Sequence, residues 1–275
     1  MSEGDYGRDL IESRLDDAIA RAERGCVSKL LFLTPRERKQ AERILRMRGA
    51  LGQAWFWGGY PAAERVCLFL LPDYLLSMLS GEPTACEAEE VLELLGEEAT
   101  EAVSVLRIKG SGYRALTHRD HLGSILGLGL ERDALGDIAV QNQYEAVVFC
   151  SATIARFLCT TLTKVANDTV KCCLWELDGS FSDGRAYQPI YDTVASARLD
   201  CVVAALTDLS RDDAQSTIKT GRVEVDFEPT ERVDLLLDPP VTISIRGFGR
   251  FVLCGFDGET RKGRMRMKAE KLIDK

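Results

Sequence analysis

The chain has 275 residues, enough for two or three small domains that each bury a hydrophobic core. Its 35 Lys and Arg residues and 43 Asp and Glu residues give a net charge of −8. This charge excludes a surface that is basic everywhere, but it is compatible with a single basic face. The longest apolar run near the N-terminus, residues 66–71, is too short to span a bilayer, and the first residues lack a signal-peptide pattern. We therefore expect a cytoplasmic protein that makes no contact with a membrane.

Residues 1–75 predict a small α+β domain. Apolar residues recur at helical spacing over residues 5–25. A second helix lies in "TPRERKQAERILRMRG", where Thr34 is the N-cap, Glu37 completes a capping box and Gly49 ends the helix. Two short apolar strands surround the Gly-Gly-Tyr-Pro turn of "WFWGGYPAAERVCLFLLP".

Residues 76–178 predict a central domain. A polar stretch with one short helix precedes the order strand, helix, strand, strand, helix, strand, at residues 103–109, 117–126, 137–141, 145–150, 151–165 and 169–177. This βαββαβ order is typical of ferredoxin-like folds and of RNA-recognition domains. The central strands lack the aromatic residues with which RNA-recognition domains stack bases, so topology alone does not predict RNA binding for this segment.

The stretch "THRDHLGSILGLGL" contains both histidines of the chain and raises the question of a catalytic or metal site. A kinase catalytic loop requires an Asn five residues after Asp120, which is absent, and further motifs that are also absent. A metal site requires a third ligand beside His118 and His121. Thr117 as N-cap and Asp120 three residues later instead predict a capped helix start. His118 and Arg119 at this helix start are a secondary candidate RNA contact, because helix N-termini attract phosphate.

The nine cysteines show no zinc-binding spacing. Only Cys172 and Cys173 are close in sequence, and adjacent cysteines do not easily share one tetrahedral ion. Most of the others stand among apolar residues, so we expect buried, reduced thiols, no metal and no cofactor.

Residues 179–192 are rich in Gly, Ser and Asp and predict a linker. Beyond it, residues 193–275 predict a third domain with two helices, in "ARLDCVVAALTDLS" and "SRDDAQSTIKTG", and with strands in "RVEVDFE", "VTISIRGF" and "RFVLCGF". Ser210 caps the second of these helices and Gly221 ends it. The stretch "RKGRMRMK" after the last strand is interpreted as a basic C-terminal tail.

Positive charge is concentrated in this last segment. Between residues 243 and 268 the only acidic residues are Asp257 and Glu259, and many cations fall at helix starts and turns, where they favour phosphate. A solvated charged face is the alternative interpretation. The predicted RNA-binding residues are Arg198, Asp200, Ser210, Arg211, Lys219, Arg222, Arg246, Arg250, Arg261, Lys262, Arg264 and Arg266.

The stretch "ARLDCVVAALTDLSRDDAQSTIKTGRVEVDFEPT" resembles the S-four RNA-binding domain, named after ribosomal small-subunit protein four, through R-L-D, S-R-x-x-A and I-x-x-G-x-V-x-V. The whole chain resembles the YlmH family of bacterial S-four-domain proteins, whose pattern "THRDHLGSILGLGLERDALGDI", "FWGGYPAAER" and "SIRGFGRF" match. One departure is Pro239-Pro240, which stands where the S-four domain has Gly-Asp.

This resemblance implies an α+β protein with three small domains: an N-terminal α+β domain, a central domain similar to RNA-recognition domains, and a C-terminal S-four domain. It implies a non-catalytic protein that binds rRNA of the large ribosomal subunit and peptidyl-tRNA in the quality control of stalled nascent chains. Other quality-control factors on the ribosome are implied partners. An older association of the family with cell division is also implied.

Two alternatives remain open. The first is an RNA-modifying enzyme of the pseudouridine synthase type, whose catalytic aspartate lies in a similar R-L-D. Here Arg198-Leu199-Asp200 is followed by Cys201-Val202-Val203 rather than by Thr-Ser-Gly, so we expect Asp200 to orient neighbouring cations. The second is an RNA-binding adaptor associated with cell division or with a membrane, although no amphipathic membrane helix supports membrane binding. A tyrosyl-tRNA synthetase also ends in an S-four domain, but its nucleotide-binding signatures are missing here.

Overall fold

The computed structural model describes residues 3–273, with side chains from residue 10 onward. The chain forms two compact units, Met1–Gly184 and Arg185–Lys275, and has the mixed α+β architecture expected from the sequence. Within the described residues, every helix is too short or too polar to cross the apolar layer of a membrane.

The first unit contains seven described α-helices and two sheets. Its helices are α1 (Glu3–Glu23), α2 (Pro35–Arg48), α3 (Asp73–Leu76), α4 (Ala88–Leu95), α5 (Glu97–Ala102), α6 (His118–Leu126) and α7 (Ala152–Thr161). Its strands are β1 (Ser28–Leu33), β2 (Ala54–Trp57), β3 (Val66–Leu70), β4 (Ser104–Gly110), β5 (Leu135–Asn142), β6 (Glu145–Cys150), β7 (Lys164–Val165) and β8 (Asp168–Leu174). Short 3₁₀ turns lie at Leu51–Gln53 and Arg132–Ala134.

The larger sheet of this unit has the ferredoxin-like arrangement predicted for the central segment. The smaller sheet has the order β1-β3-β2, and the larger has the order β5-β6-β4-β8-β7 with antiparallel neighbours. The elements β4, α6, β5, β6, α7 and β8 follow the predicted βαββαβ order, and β4 lies between β6 and β8.

The boundary predicted at residue 75 does not separate two compact units. Phe32 of the N-terminal segment and Phe149 of the central segment belong to one hydrophobic core. The apolar face of a sheet must be buried against another layer of structure. Here the N-terminal and central segments cover each other's apolar surfaces. The segments 1–75 and 76–178 thus share a core within one compact unit, and shared burial between distant segments leaves no local signal in the sequence.

The motif "FWGGYPAAER" forms the joint between these two segments. The Asp137 carboxylate accepts hydrogen bonds from the Tyr60 hydroxyl at 2.7 Å and from the Arg65 backbone N–H at 3.1 Å. The buried Arg65 guanidinium donates to the carbonyl oxygens of Leu135 and Phe32 at 2.8 and 3.0 Å. A stretch that carries the family resemblance thus has a structural role in this unit.

The nine cysteines are all free thiols. Cys67 and Cys150 are buried, and burial raises the pKa of each thiol to about 12. Cys26 and Cys173 are exposed, so the expectation of buried thiols is wrong for these two. Within the described residues, no three His, Cys, Asp or Glu side chains lie close enough to hold one metal ion.

Helix α6 begins with the predicted capping box. The Thr117 hydroxyl accepts a hydrogen bond from the Asp120 backbone N–H at 3.2 Å, and the Asp120 carboxylate accepts from the Thr117 backbone N–H at 2.9 Å. His121 lies on the opposite, apolar side of this helix start and is fully buried. The capped helix start predicted for "THRDHLG" is confirmed by this geometry.

Substitution of Thr117 by alanine should lower the free energy of unfolding by about 1 kcal/mol, because it removes the N-cap acceptor of α6. Thr117→Ser keeps the hydroxyl and should stay close to the unsubstituted protein. Urea denaturation followed by circular dichroism would measure both variants. Equal stability of Thr117→Ala and Thr117→Ser would contradict the structural role.

The second unit is a six-stranded sheet covered on one face by two helices. Its elements are β9 (Ala186–Val194), α8 (Leu199–Thr207), α9 (Arg211–Lys219), β10 (Val223–Val225), β11 (Glu228–Pro229), β12 (Val241–Ile245), β13 (Gly249–Glu259) and β14 (Met265–Ile273). The strand order is β11-β10-β12-β13-β14-β9, and every neighbouring pair is antiparallel. Alternate residues of β12, such as Ile243 and Ile245, face the helices and join Val202 and Ile218 in the core.

Two predictions for this unit are wrong. Residues 186–192, predicted as linker, belong to edge strand β9, which pairs with β14 from Ala186 to Val194. The stretch predicted as a basic tail continues into β14, where the buried residues Met267 and Ala269 alternate with the charged residues Arg266, Lys268 and Glu270. Pro189 argues against a strand in the sequence, because proline has no backbone N–H to donate. An edge strand tolerates proline, since it has a neighbouring strand on one side only.

Candidate nucleic-acid interface

A buried carboxylate joins the N-terminal ends of α8 and α9. Asp200 is 0% exposed, and its Oδ1 accepts a hydrogen bond from Arg198 Nε at 3.1 Å. Its Oδ2 accepts from Arg198 Nη2, Arg211 Nε and Gln215 Nε2 at 3.2, 3.1 and 2.9 Å. Burial alone would raise the pKa of Asp200, but the hydrogen bonds from these three side chains outweigh it and hold the pKa well below its usual range.

The ionised carboxylate positions the two arginines. The side chains of Arg198 and Arg211 are 35% and 55% exposed, so both guanidinium groups reach solvent while one edge of each is held by Asp200. A guanidinium carries five N–H donors in a rigid fork, and the unheld donors can meet a phosphate. Asp200 itself is fully buried, so the solvent-exposed groups of this predicted set are the two arginines that it holds.

Ser210 is occupied by the cap of α9. Its hydroxyl accepts from the Asp213 backbone N–H at 3.2 Å and donates to the Asp213 carboxylate at 2.7 Å. Asp212 and Asp213 in this first turn already place negative charge at the positive end of the helix dipole. The structure therefore leaves Arg211, rather than Ser210, as the group at this helix start that is available to a phosphate.

The C-terminal end of α9 leads into a groove rich in arginine, whose lining includes Gly221 and Arg222 just after this helix. Lys219 is exposed in the last turn of α9. The groove has a volume of about 490 Å³ and is lined by Arg222, Arg246 and Arg250, with Glu224 as the acidic residue among its described lining. We call this feature the arginine groove.

Backbone geometry fixes the arginine groove. The Arg246 N–H donates to the Arg222 carbonyl oxygen at 2.9 Å, and Arg222 Nη2 donates to the Arg246 carbonyl oxygen at 3.1 Å. Gly247 and Gly249 in the β12–β13 turn have φ values of 94° and 114°, which non-glycine residues rarely adopt. The Arg250 guanidinium lies 5.2 Å from the ring centroid of Phe227, a cation–π contact that the sequence did not predict.

A third group of cations lies at the turn between β13 and β14. Arg261 and Lys262 are exposed in the turn, and Arg266 is exposed on β14. Arg264 donates from Nε to the Thr193 hydroxyl at 3.0 Å and from Nη2 to the Thr193 carbonyl oxygen. The predicted cations of the second unit thus fall into three groups on one compact body.

His118 and Arg119 belong to the first unit, away in sequence from all other predicted site residues. Both are exposed at the start of α6. Beside them, the loop before α6 presents Tyr113, also exposed, which sequence reasoning did not select. Gln215 was missed as well, although its spacing of four residues from Arg211 places both on one helix face.

Comparisons with known proteins give a family model, a relative and a solved structure that are similar to this chain. Residues 100–178 match a family model described as "Putative RNA-binding domain in YlmH". This is the segment for which the sequence alone did not predict RNA binding.

The chain is also 29% identical over 241 residues to "Ribosome-associated protein quality control protein P2" of Bacillus subtilis (strain 168), with 87% of this chain and 85% of that protein covered. A solved structure, "Cell division protein ylmH from Streptococcus pneumoniae", is similar with a TM-score of 0.47 and 19% identity, covering 64% of this chain and 93% of the other.

Proposed function

We propose that this chain, whose resemblance to the YlmH family is confirmed, is a non-catalytic factor that binds rRNA of the large ribosomal subunit and the peptidyl-tRNA on it, during quality control of stalled nascent chains. The observation that carries the proposal is the set of solvent-facing arginines in the second unit, held by Asp200 and by the turns of the arginine groove. The relative in Bacillus subtilis is named for quality control at the ribosome, which supports the setting. Its place of action would be the cytoplasm.

The proposed mechanism is placement of RNA. Guanidinium groups that are already oriented lose little side-chain freedom when they bind phosphate, and each phosphate that is neutralised releases condensed counterions. The attraction between cations and phosphates gives affinity that does not depend on sequence, and the fixed positions of the three cation groups determine which arrangement of phosphates they can contact together. The family match at residues 100–178 supports a second RNA contact on the first unit, with His118 and Arg119 as candidates.

The position of Asp200 disfavours the alternative of a pseudouridine synthase. A catalytic aspartate must reach the reacting base, and Asp200 is fully buried with both carboxylate oxygens accepting hydrogen bonds. Arg198, Arg211 and Gln215 all donate hydrogen bonds to this carboxylate. Opening the site to a base would break these hydrogen bonds and separate the negative charge of Asp200 from the arginines that compensate it. The geometry therefore supports a positioning residue and a binding protein.

The arginine groove provides the test. Arg222→Gln/Arg246→Gln should weaken binding to purified large subunits and reduce the slope of log affinity against log salt by about 0.7 to 0.9 for each phosphate that is no longer neutralised. Fluorescence anisotropy or gradient co-sedimentation from low to moderate salt would give the slope. Both side chains are exposed, so the fold should be retained.

The matched control is Arg14→Gln/Arg21→Gln, which removes the same charge from exposed positions of α1 in the first unit. This variant should keep the slope of the unsubstituted protein. If the two double variants behave alike, the groove is a solvated charged face and the proposed contact is wrong.

A further inference from the structure

The outer face of the β9–β14 ladder, opposite the helices, combines an exposed aromatic residue with cations. In the antiparallel pairing, Tyr191 is directly opposite Lys268, and Thr193 is directly opposite Arg266. Directly opposed residues project from the same face of a sheet with Cβ atoms about 5 Å apart. Tyr191 is 71% exposed, and the core-facing residues Met267 and Val194 lie on the other side.

The charge along this face is asymmetric. Arg264 donates two hydrogen bonds to Thr193, which places it at the same end of the ladder as Arg266 and Lys268. The Tyr191 end of the ladder therefore has three cations. Glu270 projects from the same face two residues beyond Lys268, opposite Pro189, and the next pair is Leu272 with Tyr187. The Tyr187 end therefore has an acidic neighbour, and the site that we consider is confined to Tyr191, Arg264, Arg266 and Lys268.

This end of the ladder shares a groove with Arg211, one of the two arginines that Asp200 holds. A groove of about 400 Å³ at the edge strand β9 has Thr193, Arg264 and Arg211 in its lining, together with Asp192, Asp208 and residues of α8. A strand of RNA whose phosphates meet Arg211 and Arg264 would pass around the edge strand β9, where Tyr191 lies two residues before Thr193, the hydrogen-bond partner of Arg264.

We propose that Tyr191, flanked by Lys268, Arg266 and Arg264, is a stacking site for an unpaired nucleotide of the bound RNA. The inference rests on the proposed RNA-binding function and adds the class of RNA to it. A phenol ring offers a flat surface to any base, and the adjacent cations neutralise the phosphates on either side of the stacked base. A regular duplex keeps its bases inside the helix, so it would contact only the cations.

The test compares two RNA probes of equal length, a labelled single strand without self-pairing and a labelled duplex. Tyr191→Ala should lower affinity for the single strand about tenfold, the decrease expected for removal of one base–aromatic stack. Affinity for the duplex should stay unchanged. Since no charge is removed, the slope of log affinity against log salt should also stay the same. Tyr191→Phe keeps the ring and should bind within about twofold of the unsubstituted protein.

Tyr74→Ala, at an exposed tyrosine of α3 in the first unit, is the control and should change neither affinity. The stacking site is wrong if Tyr191→Ala binds the single strand normally, or if Tyr191→Phe is weakened as much as Tyr191→Ala. It is also wrong if Tyr191→Ala fails to bind ribosomes but binds both probes normally, because the face would then contact protein. Arg222→Gln/Arg246→Gln on the same probes separates the two proposals: a normal salt slope for that variant contradicts the proposed function, whatever Tyr191→Ala does.

Discussion

Replacing Asp200 with alanine is expected to lower the free energy of unfolding of the second unit by about 3 kcal/mol, the largest decrease that we expect from a single substitution. The change removes the acceptor of four hydrogen bonds at the junction of α8 and α9 and leaves Arg198 and Arg211 without the buried carboxylate that they share. The decrease stays below the sum of four charge-assisted bonds because both guanidinium groups can turn to water.

Chemical denaturation of Asp200→Ala and of Asp257→Ala would measure this effect. Asp257 is exposed on β13, and its removal should change stability by no more than about 0.5 kcal/mol. Asp200→Asn keeps the shape and one acceptor oxygen, so it should fall between the two. If Asp200→Ala were as stable as Asp257→Ala, the carboxylate would not be the support of the arginine pair.

The same carboxylate predicts a limited pH dependence. Its pKa is lower in the folded than in the unfolded state, so its contribution is complete above the unfolded value near 4 and is lost as the pH falls through the folded value. Between pH 5 and pH 8 the contribution of Asp200 to stability should be constant. Any change in stability between pH 5 and pH 6.5 should therefore come from another group, and His121 is the candidate.

His121 should make the first unit less stable in mild acid. It is fully buried, and neither ring nitrogen has a hydrogen-bond partner within the described residues. Burial lowers its pKa to about 4 from an ordinary value of 6.5. Between these values the unfolded chain binds a proton that the folded chain does not, so stability should rise by about 3 kcal/mol from pH 4 to pH 6.5 and then level off.

His121→Leu should remove this dependence and raise the free energy of unfolding by about 1 kcal/mol at pH 7, because it replaces an unpaired buried polar ring with an apolar side chain. Unfolding by urea at pH 5 and pH 7 would show the effect as a gap between the two proteins that widens in acid. His118→Asn is the control, since His118 is exposed on the same helix. Parallel pH profiles for His121→Leu and the unsubstituted protein would refute a buried neutral histidine.

Local signals in the sequence were sufficient for much of the fold. The caps of α2 and α6 were predicted because a hydroxyl and a carboxylate three residues apart satisfy the free N–H groups of a helix start within one turn. The βαββαβ order of the central segment followed from hydrophobic periodicity. Its last helix was predicted to residue 165 but ends at Thr161, where the chain turns into the short hairpin of β7 and β8.

Long-range packing could not be predicted in the same way. The shared core of Phe32 and Phe149 joins residues more than a hundred positions apart, and neither neighbourhood indicates the partner. Strand β14 could have been found, because Met265, Met267 and Ala269 alternate with charged residues, but the charge dominated the interpretation. Strand β9 depends on pairing with β14 and has no strong pattern of its own.

The candidate site was predicted as a set of charges, and the structure divides that set by role. The sequence selected Arg198, Asp200 and Arg211 together, but only burial distinguishes the carboxylate as the support and the arginines as the exposed groups. Tyr191 was overlooked because its neighbours were interpreted as linker. An aromatic residue on a sheet face has a fixed position relative to its cross-strand neighbours, whereas one in a linker does not.

Crosslinking the protein to RNA in living cells and sequencing the attached RNA tests the central claim most directly. We expect most of the attached sequence to be rRNA of the large subunit together with tRNA, and we expect Arg222→Gln/Arg246→Gln to lower the yield while Arg14→Gln/Arg21→Gln does not. Attached RNA dominated by messenger RNA or small-subunit rRNA, or a yield that is the same for both double variants, would contradict it.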